Sequence, residues 1–248
     1  DATYFKAREN HRIISKAFMI AYATDDQGHR EILGFGVYAN ESKETWKSFI
    51  RDLKARGLRN VLMITSDAHE GLCDAISKEF PQAAWQRCQF HFSKNIAEKA
   101  PKKYQAGIRS ELSEMFNCIT IEEARRKRDS IIADYQEVAE SAMTCLDEGF
   151  ESSMTAMILP KYLRQYFRTS NHIERINREL KRRSKVIGVF PNEASILRLM
   201  GSVLMELNDA AQARKVLFSP KTYNKLMSTE VKNKLIILAN EQQLLRVS

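Results

Sequence analysis

The run Asn60–Thr65 (NVLMIT) constrains this 248-residue chain more than any other stretch. Its continuous apolar character is the mark of a strand buried on both faces. Such a strand needs cover above and below, so its neighbours should supply a sheet and the helices that flank it. Ala2–Arg8, Arg12–Thr24 and Arg30–Tyr38 are short segments rich in β-branched and aromatic residues, and Asp25-Asp26-Gln27-Gly28 marks a turn between the second and third. They predict three antiparallel strands in a meander. Ser42–Arg56 sets Trp46, Phe49, Ile50 and Leu53 at helical spacing with Gly57 as a C-terminal stop, while Ala68–Phe80 reads as a helix and Ala83–Cys88 as a further strand. The order β-β-β-α-β-α-β predicts an α/β fold, an open mixed sheet covered by helices.

From His91 to about Arg168 the pattern becomes helical and stays so. Thr120 and Glu123 form a capping-box signature, followed by Ile121, Ala124, Ile131, Tyr135, Val138, Ala142 and Leu146 at intervals of mostly three and four, which predicts one long amphipathic helix. This block reads as an all-α insertion into the α/β domain. Beyond it, Asn171–Arg183 predicts a helix, Phe190-Pro191-Asn192 a break and Glu193–Asp209 another helix, and Ser219–Ser248 a helical tail without a motif. Gly and Pro number only 9 and 5, which fits long helices and few tight turns. The longest apolar runs, such as Ala17–Ala23, fall far short of the roughly 18 residues of a membrane helix, so a soluble protein is expected. Four cysteines without a CxxC pair, and no secretion leader, predict a protein of the reducing cytoplasm.

Charge is concentrated. Between Lys161 and Lys185 nine bases face two acids, Glu174 and Glu179, so this stretch holds +7 of the chain's formal +8. Arg164, Arg168, Arg175, Arg178, Lys181, Arg182, Arg183 and Lys185 form the footprint of a surface that displaces counterions from phosphates. The alternative is a solvated helix face.

Three acids stand where chemistry is expected. Asp67 directly follows the buried strand, at the carboxyl end where open α/β sheets collect their ligands, although it also fits an N-cap and capping box with Glu70. Asp1 opens the first strand segment, where an acid is out of place among strand formers. Glu174 points away from the stripe Ile173, Ile176 and Leu180, amid Asn171, Asn177, Arg178 and Lys181. A capping box with Asn171 and an ion pair with Arg178 are its structural alternatives. Carboxylates brought together repel unless a hard divalent cation pairs with them, and Mg²⁺ is bound by a few carboxylates and substrate phosphate oxygens. Cys88 and His91 offer two zinc ligands where a structural site needs four, so no zinc is expected.

These segments together resemble the catalytic domain of the prokaryotic Mutator-type transposases: Asp1 in DATYFK, Asp67 in TSDAHEGL, WQRCQFHFSKNI, and TSNHIERINRELKRRSKVIGVFPNEAS. The resemblance runs from Asp1 to about Met200. It implies a ribonuclease H-like mixed sheet with an all-α insertion, divided as core 1–90, insertion 91–168, core 169–210 and helical tail 211–248. It also implies a metal-holding triad of Asp1, Asp67 and Glu174, with 65 and 106 residues in the two intervals. By the same resemblance Cys88 and His91 help position DNA for cleavage; Asn171 and Asn177, which flank Glu174, are expected to orient the scissile strand. The implied chemistry is phosphodiester cleavage at transposon ends and transfer of the 3′-hydroxyl into target DNA, supported by two Mg²⁺ or Mn²⁺ ions. DNA is the expected partner, held by a homodimer or larger assembly in the cytoplasm and nucleoid, with no membrane involvement. The rivals are an inactive or domesticated DNA-binding relative and a nuclease without strand transfer. Because a helix-turn-helix region normally precedes the first Asp in that family, an upstream segment carrying recognition of transposon ends is also expected.

Overall fold

The computed structural model describes residues Asp1–Val247. In chain order its elements are β1 (Ala2–Glu9), β2 (Arg12–Thr24), β3 (Arg30–Tyr38), α1 (Lys43–Ala55), β4 (Met63–Ser66), α2 (Glu70–Glu79), β5 (Ala84–Arg87) and α3 (Gln89–Glu98). There follow α4 (Lys102–Phe116), α5 (Ile121–Tyr135), α6 (Glu140–Ser153), a 3-10 turn (Thr155–Ile158), α7 (Lys161–Phe167), α8 (Asn171–Ser184), α9 (Glu193–Gln212), α10 (Pro220–Leu226) and α11 (Thr229–Val247). The fold is mixed α/β. Hydrogen bonding among the described residues divides the strands into a three-stranded sheet, β1-β2-β3, and a two-stranded one, β4-β5, where the sequence predicts a single sheet. None of the helices among the described residues is long and apolar enough to cross a membrane.

One compact unit comprises residues 1–61, 69–81 and 171–228. Its β1–β2 hairpin turns at Asn10-His11, both with positive φ (47° and 62°), the conformation whose twist suits a two-residue hairpin loop. In the next turn Asp25 Oδ1 accepts from the amides of Gln27 and His29 at 2.9 and 2.8 Å. Gly28 is required there, because φ is +83° and a Cβ would meet the backbone of Phe218. The antiparallel register sets Thr3 opposite Phe18 and Phe18 opposite Val37, so Phe5, Ala7, Phe18, Ile20 and Phe35 share one face. Ile176 and Leu180 of α8, and Ile196, Met200, Val203 and Leu204 of α9, complete that core. On the opposite face Tyr38 meets Phe49 of α1 edge to face, with centroids 6.1 Å apart. Helix α1 is capped by the Ser42 side chain and ends in a left-handed Gly57, with Gly57 N–H on Lys54 O and Leu58 N–H on Leu53 O.

The other unit comprises residues 62–68, 82–170 and 229–248. Here β4 and β5 pair in parallel, Met63 opposite Ala84 through Ser66 opposite Arg87. The strand predicted from Asn60 starts later because Asn60 itself has a left-handed φ of 55°, which strand backbone does not adopt. Helices α3 to α6 enclose a core of Phe92, Ile96, Ile108, Leu112, Met115, Ile131, Met143, Leu146 and Phe150. The Thr120–Glu123 capping box is present at the start of α5. The single long helix predicted after it is two, since the chain leaves α5 at Gln136 and re-enters helix at Glu140. A continuous helix from Ile121 to Leu146 would run about 40 Å in one direction. Reversing instead lets Ile131 of α5 and Leu146 and Phe150 of α6 bury in one core, and leaves Val138 exposed in the bend.

Candidate active site

In the first unit, the start of β1 and one face of α8 are joined by a side-chain hydrogen bond. The Asp1 main-chain carbonyl accepts from Ile20 N–H at 2.9 Å, which extends the ladder with β2. Its carboxylate accepts from Ala2 N–H at 2.8 Å through Oδ1 and from Asn177 Nδ2 at 3.0 Å through Oδ2. Asn177 is 9% exposed and its own Oδ1 is buried with no hydrogen-bond partner. The sequence puts Asn177 on the solvent side of α8, but the structure buries it next to Ile176 and Leu180, where the Asp1 carboxylate satisfies its amide donor. Glu174 lies half-buried one turn earlier on the same helix, a spacing that brings Cβ atoms to about 5–6 Å. Asn171 is the first residue of α8 and exposed, so it does not hold the capping position.

In the second unit, two candidate residues sit at the carboxyl ends of paired strands. Asp67 follows Ser66, the last residue of β4, and Cys88 follows Arg87, the last residue of β5, and these last residues are register partners. Strand spacing of about 4.8 Å therefore sets the two exits side by side. Ser66 Oγ donates to Asp67 O at 2.7 Å and accepts from Trp85 Nε1 at 2.9 Å, while Cys88 N–H donates to Ser66 O at 2.7 Å. Helix α2 starts at Glu70 with His69 in the capping position, so Asp67 does not cap it. The Cys88 thiol is fully buried. Its Sγ accepts from Ser170 N–H at 3.3 Å and Ser170 Oγ at 3.2 Å, and it is hydrogen-bonded to His91 in the first turn of α3. Burial pushes the thiol pKa up, but the His91 and Ser170 hydrogen bonds outweigh it and hold Cys88 below an ordinary cysteine. The segment before Asn171 is pinned to these same strand ends, with Thr65 Oγ1 donating to Phe167 O and Gln89 N–H to Arg168 O at 3.0 Å.

The basic residues divide into two groups. Arg164 donates to Leu159 O and Ile119 O, both at 2.8 Å, and Arg168 donates to Phe116 O and Asn117 Oδ1 at 3.1 and 2.9 Å. These two guanidiniums brace loop and helix ends within the helical layer. On α8, Arg175, Arg178, Lys181, Arg182 and, just beyond its end, Lys185 are exposed at intervals of three and four, one face of the helix. Glu179 draws in Arg182 at 2.7 Å and Arg183 at 2.9 Å, and Arg183 also reaches Glu206 at 2.9 Å. Those hydrogen bonds from Arg182 and Arg183 pull the Glu179 carboxyl down to about 2.

Residues 1–213 match the sequence profile described as Transposase, Mutator family. The chain belongs to the Mutator transposase family. It is 40% identical over 211 residues to a transposase for insertion sequence element IS256 in transposon Tn4001 of Staphylococcus aureus, a match covering 84% of this chain and 54% of that protein. It is 36% identical over 216 residues to the transposase for insertion sequence element IS1081 of Mycobacterium tuberculosis, covering 84% of this chain and 50% of that one. A transposase for element IS406 of Burkholderia multivorans is 36% identical over 221 residues, covering 87% and 56%. The chain thus spans about half the length of the curated relatives it matches.

Several residues that organise this Mutator-family chain carry no sequence signal. Gln242 of α11 reaches the free edge of β5, where its Oε1 accepts from Trp85 N–H at 2.8 Å and its Nε2 donates to Trp85 O at 2.9 Å, so one amide side chain occupies the place of a neighbouring strand. Gln86, fully buried, donates to Ser153 O at 2.7 Å and accepts from Ala156 N–H at 2.6 Å. Ser170 was likewise silent in the sequence, since a serine three residues past a helix is an ordinary loop residue. Tyr22 and His172 stack with centroids 5.6 Å apart, and burial, with the charges of Arg30, Arg175 and Arg214, holds the His172 ring below the usual histidine value.

Proposed function

We propose that this chain is the catalytic core of a DNA transposase, cleaving a phosphodiester at transposon ends to expose a 3′-hydroxyl and joining that hydroxyl to target DNA. In this reading Asp1, Asp67 and Glu174 hold two divalent ions, Mg²⁺ or Mn²⁺. The observation that carries it is the Asp1–Asn177 hydrogen bond, which ties an acid at the head of β1 to a residue one helical turn from Glu174 across 176 positions of sequence. The donors fit a hard cation, being carboxylate oxygens with a buried, unpartnered amide oxygen, Asn177 Oδ1, beside them. When bound, such ions activate an attacking oxygen and stabilise the leaving oxygen of an in-line displacement. Asn177 orients the Asp1 carboxylate by donating to Oδ2. Asp67 takes its position from the Ser66 hydroxyl and the end of β4. Cys88 and His91, beside it at the strand exits, help position the DNA near the scissile bond, the buried Cys88 thiol acting through its hydrogen bond to His91, Asn171 orients the strand, and the exposed bases of α8 hold backbone phosphates.

The architecture is read in the same terms as a ribonuclease H-like core, 1–90 and 169–210, with an α-helical insertion at 91–168 and a tail at 211–248. The protein acts as a dimer or larger assembly on DNA, in the cytoplasm and on the nucleoid. The test is nicking of supercoiled plasmid, and joining of a labelled 3′-hydroxyl end to a second duplex, with and without Mg²⁺. Both activities are expected, with both lost in Asp1→Asn, Asp67→Asn and Glu174→Gln. Nicking without joining favours a nuclease, and binding without nicking favours a DNA-binding relative. Full activity in Glu174→Gln refutes the triad.

A further inference from the structure

Apart from Asp1 and Glu174, the first unit gathers positive charge around a pair of rings. His172, in the first turn of α8, stacks on Tyr22 of β2 with planes only 20° apart. Arg30 from the start of β3, Arg175 from α8 and Arg214 just past α9 all act electrostatically on both rings. Arg30 is fixed in place by donating Nη2 to the Lys215 carbonyl at 3.3 Å. Three elements distant in sequence therefore bring their cations to one place. Glu179, Glu206 and Glu193 neutralise bases elsewhere in this unit, but no ion pair among the described residues includes Arg30, Arg175 or Arg214. Like charges held together without a carboxylate repel one another, and an anion between them removes that repulsion. The guanidinium fork matches phosphate oxygens, and a half-buried aromatic pair beside it offers a surface for the adjoining sugar or base.

We propose that Arg30, Arg175 and Arg214, backed by the Tyr22–His172 stack, form a binding site for a backbone phosphate of DNA. The proposal rests on the reading of DNA as the substrate and extends the DNA path beyond the basic face of α8 to β2, β3 and the end of α9. Affinity for a short duplex of random sequence is measured by fluorescence anisotropy across a range of salt concentrations. Arg30→Gln with Arg214→Gln takes two of the three guanidiniums from that phosphate, and the slope of log affinity against log salt should flatten by about 1. Lys99→Gln with Lys102→Gln, an equal loss of exposed charge in the other unit, should leave the slope as it is. An unchanged slope in the arginine pair, or equal flattening in the lysine pair, overturns the site. The Asp67→Asn variant separates the two readings. If it still cleaves while the arginine pair flattens the slope, the triad fails and the phosphate site stands. If the wild-type slope is flat, both fail.

Discussion

Replacing Gln242 with Met removes every polar contact of that side chain while keeping nearly its volume. Three bonds go: Trp85 N–H to Oε1 at 2.8 Å, Nε2 to Trp85 O at 2.9 Å and Nε2 to Thr155 Oγ1 at 3.2 Å. Their losses are unequal. Trp85 O keeps the Thr155 hydroxyl at 2.8 Å, so it stays satisfied. Trp85 N–H points away from β4 on a residue only 9% exposed, and loses the acceptor that Gln242 supplied. Losing that acceptor costs about 1–3 kcal/mol, and the other two bonds add little because one acceptor is retained and Thr155 also donates elsewhere. A loss of about 2 kcal/mol lowers the melting temperature of a chain this size by roughly 4–8 °C. The assay is thermal unfolding by circular dichroism, paired with hydrogen exchange at the Trp85 amide, whose protection should fall in Gln242→Met. A variant with wild-type melting and undiminished Trp85 protection would refute the clamp, because Met preserves packing and only the hydrogen bonds distinguish the two side chains.

Asn177→Leu should change stability little, since removing a buried unpartnered oxygen offsets the donor lost by the half-buried Asp1 carboxylate, yet lower plasmid nicking by roughly 10- to 100-fold as that carboxylate loses its orientation; equal nicking would show that Asp1 needs no such support. Gly149→Ala places a Cβ against the Arg87 guanidinium and the buried Phe92 ring, and should cost about 1–3 kcal/mol in urea denaturation. The folded-state carboxyl of Glu179 lies at about 2 against an ordinary 4.5, so its contribution to stability is present above pH 4.5 and lost as pH falls toward 2. The gap in urea midpoint between wild type and Glu179→Gln should therefore be open at pH 7 and close near pH 2, and a gap independent of pH would contradict the ion pairs with Arg182 and Arg183.

Much of the first unit was legible because its signals are local. The strands Arg12–Thr24 and Arg30–Tyr38 begin and end where composition and the Asp25–Gly28 turn put them. The Ser42–Arg56 helix and, in the second unit, the Thr120 capping box follow from side-chain and backbone contacts within a few residues. What the sequence misread depends on partners far along the chain. The bend after Tyr135 contains neither Gly nor Pro and arises because two short helices bury more in one core than one long helix does. Asn177 has the composition of a surface residue and becomes interior only through Asp1, 176 positions away. The same holds for Gln242, whose polar side chain on an otherwise unremarked helix is explained only by the edge of β5. At the candidate site, residue types and strand-end positions drew attention to Asp67, Cys88 and Glu174, whereas Ser66, Ser170, Tyr22 and Arg214 emerge only from the folded arrangement.

Each compact unit is assembled from three separate stretches of chain, and the last of them in the second unit begins at Thr229. During synthesis the strands β4 and β5 leave the ribosome long before Gln242 exists. Until then the outer edge of β5 lacks the amide side chain that pairs with Trp85, and another extended segment can add itself there. Loops closed over so many residues also make for slow, non-local folding. The vulnerable period in the life of this protein therefore falls at translation, and its length is set by the time the ribosome takes to travel from residue 87 to residue 242. Slowing elongation across the stretch that encodes α5 to α9 should lengthen that exposure and raise the fraction of chains that aggregate or recruit chaperones, even though no amino acid has changed.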